Sequence, residues 1–274
     1  MEDAMPIPFP INHDLHNHTA LSECCADEKM TAANTFAFAK EHGYEKVVIT
    51  DHFWDPAAPG ASDWYAPQDL DHVRKILPLP KSDTLELLFG CETEFCGGNK
   101  IGITRDCYSA FDMIVVPVNH FHMEGFVRPV DCNDEVKVAE LLTARLEELC
   151  RLSLPWRKIG VAHLNAANIE GIDYNVALGL APEARLREVF RFLGKNGAGI
   201  ELNAACFLPG WREYEDAALR LFRIALEENC RFYCASDAHA TTELGAVPER
   251  MREVADALGL VAANAFSPKY INND

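Results

Sequence analysis

The sequence predicts an α/β barrel, and three observations lead to that prediction. Short apolar and β-branched runs alternate along the chain with longer amphipathic stretches, a pattern typical of βα units around a parallel sheet. The 274 residues, 49% of them hydrophobic, suffice to bury one large core. Potential metal ligands follow almost every predicted strand, and strand ends share one rim in such a barrel.

The elements follow one another at regular intervals. The predicted strands lie at 13–17, 46–50, 86–90, 112–118, 158–162, 199–203 and 231–236. They are short and rich in apolar or β-branched residues, as in KVVIT at 46–50. The predicted helices lie near 31–42, 67–77, 134–150, 182–196, 213–229 and 246–258. The run GLVAANAF at 259–266 is either an eighth strand or a closing segment.

The chain shows no internal division. No Ser/Gly-rich or Pro-rich run, charge block or repeat interrupts it, so we expect a single domain over residues 1–274. The first residues lack a basic start followed by an apolar core, and no apolar run approaches about 18 residues. We therefore expect a cytoplasmic location. The ten cysteines form no paired C-x-x-C zinc motif and should mostly be reduced thiols.

Net charge restricts the possible partners. The formal charge is −17, from 42 acids against 25 bases, and it opposes sequence-independent binding to nucleic acid or to an anionic membrane surface. We expect neither partner, and the sequence is silent on oligomeric state.

The stretch DLHNHTALSECCADE at 14–28 carries the first chemical signal. His16 and His18 are two residues apart at the end of a predicted strand, where alternate residues share a face. Both imidazoles can therefore reach one metal ion.

Further potential ligands follow the later strands. Together with the first pair they are His16, His18, Asp51, His52, Glu92, His120, His163, Asp237 and His239. Residues separated by more than two hundred positions would thus meet in one cleft at the carboxyl ends of the strands. Such a cluster indicates a metal-dependent active site.

These motifs resemble those of the PHP (polymerase and histidinol phosphatase) family. The resemblance covers H-x-H, ITDH, G-x-E, histidines after the fourth and fifth strands, IELN and SDAH, from about residue 13 to 240. It implies a distorted (β/α)7 barrel, similar to a TIM barrel, whose rim binds two or three divalent metals (Mn, Zn or Fe) that hydrolyse phosphate esters. At this length the chain looks more like a histidinol-phosphatase-like phosphoesterase than a polymerase domain.

The resemblance also implies a ligand set. The H-x-H pair would bind one metal with Asp237, and Glu92 would bridge that metal to a second one held by His120 and His163. His122, two residues after His120, is an alternative ligand because the two would share a face in an extended segment.

A third metal would use His52 and His239 with one further ligand from LSECC. Glu23 is a hard oxygen donor that suits Mn or Mg, whereas Cys24 would favour zinc. We favour Glu23 slightly, and the segment could also supply no ligand.

The expected chemistry follows from metal ions about 3.5 to 4 Å apart, which can share a bridging hydroxide and clamp phosphoryl oxygens. Glu92 suits a bridging role because it has two oxygens. Asp51 would orient a neighbouring histidine or cap a helix, and His239 or a metal-bound water would protonate the leaving group.

Arg212, in CFLPGWRE, is the best candidate for binding phosphate outside the metals, because a guanidinium matches phosphate geometry. Arg105 and Arg128 are competitors in other loops. Asn203 and Trp211 are the other predicted substrate contacts.

The sequence therefore predicts a phosphoesterase acting on a small phosphorylated substrate, most simply a phosphomonoester. One alternative is a phosphodiesterase or 3′-exonuclease of the same family. Another is an amidohydrolase-type C–N hydrolase, which usually has a lysine ligand at the fourth strand, and no lysine ends that strand here.

Overall fold

The computed structural model describes residues 6–268, and its main feature is a nearly closed barrel of parallel strands. In chain order the strands are β1 (His13–Asn17), β2 (Lys46–Ile49), β3 (Glu86–Glu92), β4 (Phe95–Gly97), β5 (Lys100–Ile101), β6 (Met113–Val116), β7 (Ile159–Val161), β8 (Gly199–Asn203) and β9 (Arg231–Ala235). Within residues 6–268, β4 and β5 form a separate antiparallel hairpin and the other seven form the barrel in chain order. The predicted (β/α)7 barrel is confirmed.

Side chains help to close the barrel between β1 and β9. The Cys234 N–H donates to His13 Nε2 at 2.8 Å. Ser236, just after β9, donates to the Asp14 carboxylate through its N–H at 2.9 Å and its hydroxyl at 2.6 Å. Because His13 and Asp14 are both buried, these polar contacts replace part of the missing backbone ladder.

The barrel interior is filled by apolar side chains and sealed by the segment after the last helix. The interior cluster consists of Leu15, Val48, Leu88, Met113, Val115, Ala162, Tyr233, Ala235 and Phe266. The Phe266 N–H donates to the Phe232 carbonyl at 2.7 Å. A Cβ atom on residue 199 would lie only 2.6 Å from the Phe266 ring, so only glycine fits at that position. The segment 259–266 is therefore a closing segment containing a 3-10 turn (Ala262–Asn264), and the glycine leaves room for its aromatic ring.

The helices are α1 (Ala32–Glu41), α2 (Leu70–Val73), α3 (Glu135–Leu149), α4 (Tyr174–Leu180), α5 (Glu183–Asn196), α6 (Glu215–Glu227) and α7 (Ala246–Ala257). Several begin at side-chain caps; for example, Asp134 accepts the Lys137 N–H at 2.8 Å at the start of α3. In residues 6–268 no helix has the length and apolarity needed to cross a membrane.

Four elements differ from the sequence expectation. The helix expected at 67–77 is only one α-helical turn followed by a 3-10 turn (Arg74–Ile76). Helix α4 and the β4–β5 hairpin were not predicted, since both are too short for a clear periodicity. Strand β3 runs two residues further than expected, so Glu92 is its last residue.

Candidate metal centre

The carboxyl ends of the barrel strands bring the predicted ligands together. Among the described residues, the side chains that could hold a metal form three groups, and within each the ligand atoms lie within 4.8 Å of one another. The groups are His16, His18 and Asp237; Glu92, His120 and His163; and His18, Cys24, His52 and His239.

Glu92 lies at the centre of the cluster, with Oε2 facing His16 and His52 and Oε1 facing His120 and His163. Its Oε2 is 3.5 Å from His16 Nε2 and 3.0 Å from His52 Nδ1. Its Oε1 is 3.5 Å from His163 Nε2 and 3.9 Å from His120 Nε2. This arrangement suits a carboxylate that bridges two cations.

The H-x-H pair converges as the strand geometry predicts. His16 Nε2 and His18 Nε2 are 3.1 Å apart, and they lie 3.4 and 3.3 Å from Asp237 Oδ1. Both imidazoles are completely buried. Three ligand atoms of the types that bind divalent transition metals thus surround one point.

Two of the potential ligands have an unusual backbone conformation. His163 and Asp237 have positive φ angles of 27° and 54°. Non-glycine residues rarely adopt this region, and it is found where the surrounding structure compensates for the strain. Both residues lie two positions after the end of a strand, so the sharp turn aims their side chains back over the barrel.

Hydrogen bonds set the orientation of two of the histidines from outside the cluster. His16 Nδ1 lies 2.8 Å from Glu201 Oε2, which also accepts from the Tyr233 hydroxyl at 2.8 Å. His120 Nδ1 lies 2.6 Å from Glu94 Oε2. A carboxylate can only accept, so the Nδ1 atoms of His16 and His120 each carry a proton and their Nε2 atoms are directed into the cluster.

His163 follows the same pattern through Asn119. The Asn119 amide group donates to the His163 carbonyl at 2.9 Å, so its oxygen accepts from His163 Nδ1 at 3.1 Å. The Nε2 lone pair of His163 therefore points at Glu92.

Asp51 acts on the site through a serine. Its carboxylate accepts from the Thr19 N–H at 2.7 Å and from the Ser22 hydroxyl at 2.8 Å. Because the Ser22 proton is directed to Asp51, the Ser22 oxygen accepts from His18 Nδ1 at 3.0 Å and from the His52 N–H at 3.1 Å. Asp51 is thus placed to orient histidines indirectly.

Several buried polar atoms in the cluster have no hydrogen-bond partner among the described residues. They are His52 Nδ1, His163 Nε2 and Glu92 Oε1. Leaving such atoms unpaired is costly in a protein interior, whereas each is a normal metal donor. The donor set therefore fits divalent cations.

Burial and neighbouring charges shift the pKa values of several groups in the cluster. Burial raises the pKa of Glu92, but His52 and His16 outweigh it and hold that pKa well below its usual range. Burial alone would lower the pKa of His120, whereas the Glu94 carboxylate raises it to about 9. For His52 burial dominates, and its pKa lies well below the usual value.

The third group contains Cys24 and not Glu23. The Glu23 side chain is exposed, and its backbone N–H donates to Gln68 Oε1 at 3.1 Å. Our slight preference for Glu23 is therefore not supported by the geometry. His120 lies in the group with Glu92, whereas His122 is exposed and lines the cavity.

The predicted substrate contacts lie elsewhere. Arg212 is half-exposed and held by the Glu215 and Glu253 carboxylates, so it is not positioned to bind phosphate at the metal ligands. Trp211 packs edge-on against Phe207 and lines a neighbouring cavity. Both residues lie in the loop after β8, and their side-chain contacts are with Glu215, Glu253 and Phe207 rather than with the metal ligands.

Asn203 contacts ligands rather than the open cavity. It is buried, and its amide group donates to Glu201 Oε1 at 2.8 Å and to Asp237 Oδ2 at 3.1 Å. It is therefore placed to position Asp237.

The two competing arginines are also accounted for. Arg128 is buried and donates to the Phe121 and Cys132 carbonyls, which folds its own loop. Arg105 lines a separate cavity with Lys158, at the amino ends of β6 and β7.

A cavity of about 530 Å³ opens over the ligand groups, a suitable size for a small ligand. It is lined by Cys24, His52, Trp64, Tyr65, Glu92, His120, His122, Met123, Asp237 and His239. None of these described lining residues is a lysine or an arginine.

Sequence reasoning missed the outer partners Glu94, Asn119, Glu201, Tyr65 and Tyr233. A signal was present for two of them. Glu94 lies two residues after Glu92, between β3 and β4, and Glu201 is a charged residue within an otherwise apolar strand, where burial requires a partner.

Comparison with known proteins gives a family match and structural neighbours with the same fold. The family model of the PHP domain matches residues 14–205. The histidinol phosphate phosphatase of Lactococcus lactis subsp. lactis, solved with zinc, L-histidinol and phosphate, aligns with a TM-score of 0.57 at 13% identity, covering 93% of this chain and 98% of that one. A candidate histidinol phosphatase of Listeria monocytogenes aligns with a TM-score of 0.58 at 12% identity, covering 85% and 97%. At these identities the structural similarity shows the fold, and no curated protein sequence matches the chain.

Proposed function

The chain belongs to the PHP domain family of metal-dependent phosphoesterases, and from this premise we propose that it is a phosphatase for a small phosphomonoester. One observation carries the proposal. The Nε2 atoms of His16, His120 and His163 surround the two oxygens of Glu92 at 3.5 to 3.9 Å, while the Nδ1 atom of each histidine is held by another side chain.

We propose two metal positions on either side of Glu92 and a third beside His52 and His239. When bound, the divalent cations would supply Lewis acidity that activates water and neutralises phosphoryl charge. The residues of the chain hold these cations in place. Glu201, Glu94 and Asn119 keep the histidine lone pairs directed inward, and Asp51 does so through Ser22.

The cavity lining supports a monoester over longer phosphodiesters. A polyanionic strand needs cationic side chains along its path, and the described lining residues include none. The net charge of −17 adds a repulsive field. The C–N hydrolase alternative also loses support, because residues 117–120 after β6 read PVNH, without the lysine expected there.

The lining also indicates what leaving group fits. Trp64 and Tyr65 offer aromatic surface, with Trp64 edge-on to His52 at 5.0 Å between ring centroids, and Met123 adds an apolar contact. A leaving group with an aromatic or cationic part would pack there, whereas a second anionic group would find no cationic partner. Histidinol phosphate, the substrate given in the name of the Lactococcus enzyme, meets this description.

The test is phosphate release by metal-loaded protein from a panel of esters. We expect kcat/KM for histidinol phosphate or another compact monoester to exceed that for a linear diester and a short single-stranded DNA. A diester or strand preferred by about tenfold, roughly 1.4 kcal/mol of transition-state discrimination, would refute the monoesterase proposal.

A further inference from the structure

The edge of the cavity nearest β1 and β9 holds a group with an unusual donor. It contains His18, Cys24, His52 and His239, whose ligand atoms lie within 4.8 Å of one another. His18 is already engaged, because its Nδ1 is bonded to Ser22 and its Nε2 faces Asp237 Oδ1 at 3.3 Å. One thiol and two imidazoles are left for a separate metal position.

The local fold turns Cys24 toward this position. The Ser22 hydroxyl is bonded to Asp51, and the Glu23 N–H is bonded to Gln68, which together orient the turn. The thiol of the next residue, Cys25, donates to the His239 carbonyl at 2.9 Å. The turn is therefore attached on both sides of Cys24 to elements that carry the other ligands.

A second observation supports a ligand at this position. His52 is 94% buried, and its Nδ1 atom, although 3.0 Å from Glu92 Oε2, makes no hydrogen bond to any described residue. His239 Nδ1 lies 2.8 Å from the Asp237 carbonyl, which can only accept, so its Nε2 lone pair is free. A cation would satisfy both imidazoles.

We infer that Cys24 binds a metal as a thiolate together with His52 and His239, and that this position prefers zinc to manganese or magnesium. The assignment rests on the proposed metal-dependent function and adds the identity and selectivity of one ligand set. On binding, the thiol proton passes to solvent and the sulfur lone pair forms the bond to the metal. A soft sulfur donor selects zinc, and three protein ligands leave a position open to substrate or water.

Cobalt(II) reports on this ligand without any need for catalysis. We expect metal-free protein titrated with cobalt to develop a near-ultraviolet sulfur-to-metal charge-transfer band. Cys24→Ser should lose the band, and Cys150→Ser, at the far end of α3, should keep it. The Cys24→Asp variant keeps an anionic donor, so its zinc-to-manganese affinity ratio should fall by about tenfold or more.

Thiol alkylation gives a second readout. Cys24 is the single exposed cysteine among residues 6–268, so iodoacetamide should reach it in metal-free protein, and zinc should slow that reaction by about tenfold or more. Mass spectrometry of the peptide measures the rate. Magnesium at the same concentration should protect much less.

The outcomes separate this inference from the proposed function. A charge-transfer band in Cys24→Ser equal to that of the wild type, or alkylation unaffected by zinc, overturns the assignment whether or not phosphate is released. A wild-type band with no phosphate release from any ester supports the assignment and refutes the phosphatase proposal. Failure of the wild type to take up cobalt or zinc overturns both.

Discussion

Glu201 provides the sharpest test of how the site is held together. It is fully buried on β8 and accepts four hydrogen bonds, two on each oxygen. Oε2 accepts from His16 Nδ1 and the Tyr233 hydroxyl, both at 2.8 Å, and Oε1 accepts from the Asn203 amide group at 2.8 Å and the His163 N–H at 3.2 Å. The substitution Glu201→Gln keeps the volume but replaces one oxygen by an NH₂ group that cannot accept.

Whichever way the glutamine amide points, two buried donors lose their acceptor. At about 1–3 kcal/mol for each unsatisfied group, the free energy of unfolding should fall by roughly 2–6 kcal/mol. If the NH₂ group faces His16, that imidazole is no longer held with its Nε2 lone pair inward, so zinc affinity should fall by about 10–100-fold.

The assays are urea unfolding in the presence of chelator and competition for zinc with a chromophoric chelator. Glu86→Gln is the matched control, because Glu86 is a half-exposed residue of β3 paired with Lys46 at 2.9 Å, and such pairs contribute less than about 1 kcal/mol. Should Glu201→Gln fail to fold, Tyr233→Phe, which removes one donor, should still cost about 1 kcal/mol. Glu201→Gln within about 0.5 kcal/mol of the wild type and with unchanged zinc affinity would contradict the reasoning.

Three further predictions follow from the same geometry. The protein should retain at least two divalent ions after dialysis without chelator, and fewer than about one per chain by elemental analysis would defeat the proposed centre. Glu92→Gln and Asp237→Asn should each stay folded by circular dichroism yet lose metal and at least ~100-fold in phosphate release, and near-wild-type turnover in both would show the ligand assignment to be wrong. Burial, with a smaller contribution from Lys46, lowers the pKa of His13 in the folded protein to about 4. Neutral His13 therefore contributes stability that is fully present above pH 6.5, the pKa of an unfolded histidine, and that is lost as the pH falls toward 4. That loss totals roughly 3 kcal/mol, and urea unfolding with chelator at pH 7 and pH 4.5 should show a smaller acid effect for His13→Gln than for the wild type.

The barrel and the inner ligands could be predicted because both depend on local patterns. A parallel strand is apolar on both faces, and its last residue faces the same rim as every other strand end. The prediction of His16, Glu92 and Asp237 as ligands therefore required no knowledge of long-range contacts. The closing segment could not be assigned in this way, since its role depends on Phe266 fitting over Gly199, a contact between distant residues.

The predictions that the structure does not support concern residues whose side-chain orientation is determined by partners far away in the sequence. Arg212 is in a rim loop, as expected, but Glu253 on α7 draws its guanidinium to the surface. The choice between Glu23 and Cys24 depends on contacts to Asp51 and Gln68, which lie 29 and 45 residues from the residues they bond. Adjacent residues in a turn point in different directions, and only those contacts decide which one faces the cluster.

Glu94 and Glu201 lie between the residues that the sequence predicts and those that it does not. Each is a carboxylate in a stretch that is otherwise apolar enough to be buried, and a buried charge must be paired or hydrogen-bonded. The sequence thus contains the information that each has a polar partner, but not which partner. The partners are histidines that also face Glu92, so unexplained acids inside or just after predicted barrel strands indicate where the ligands of a metal centre are supported.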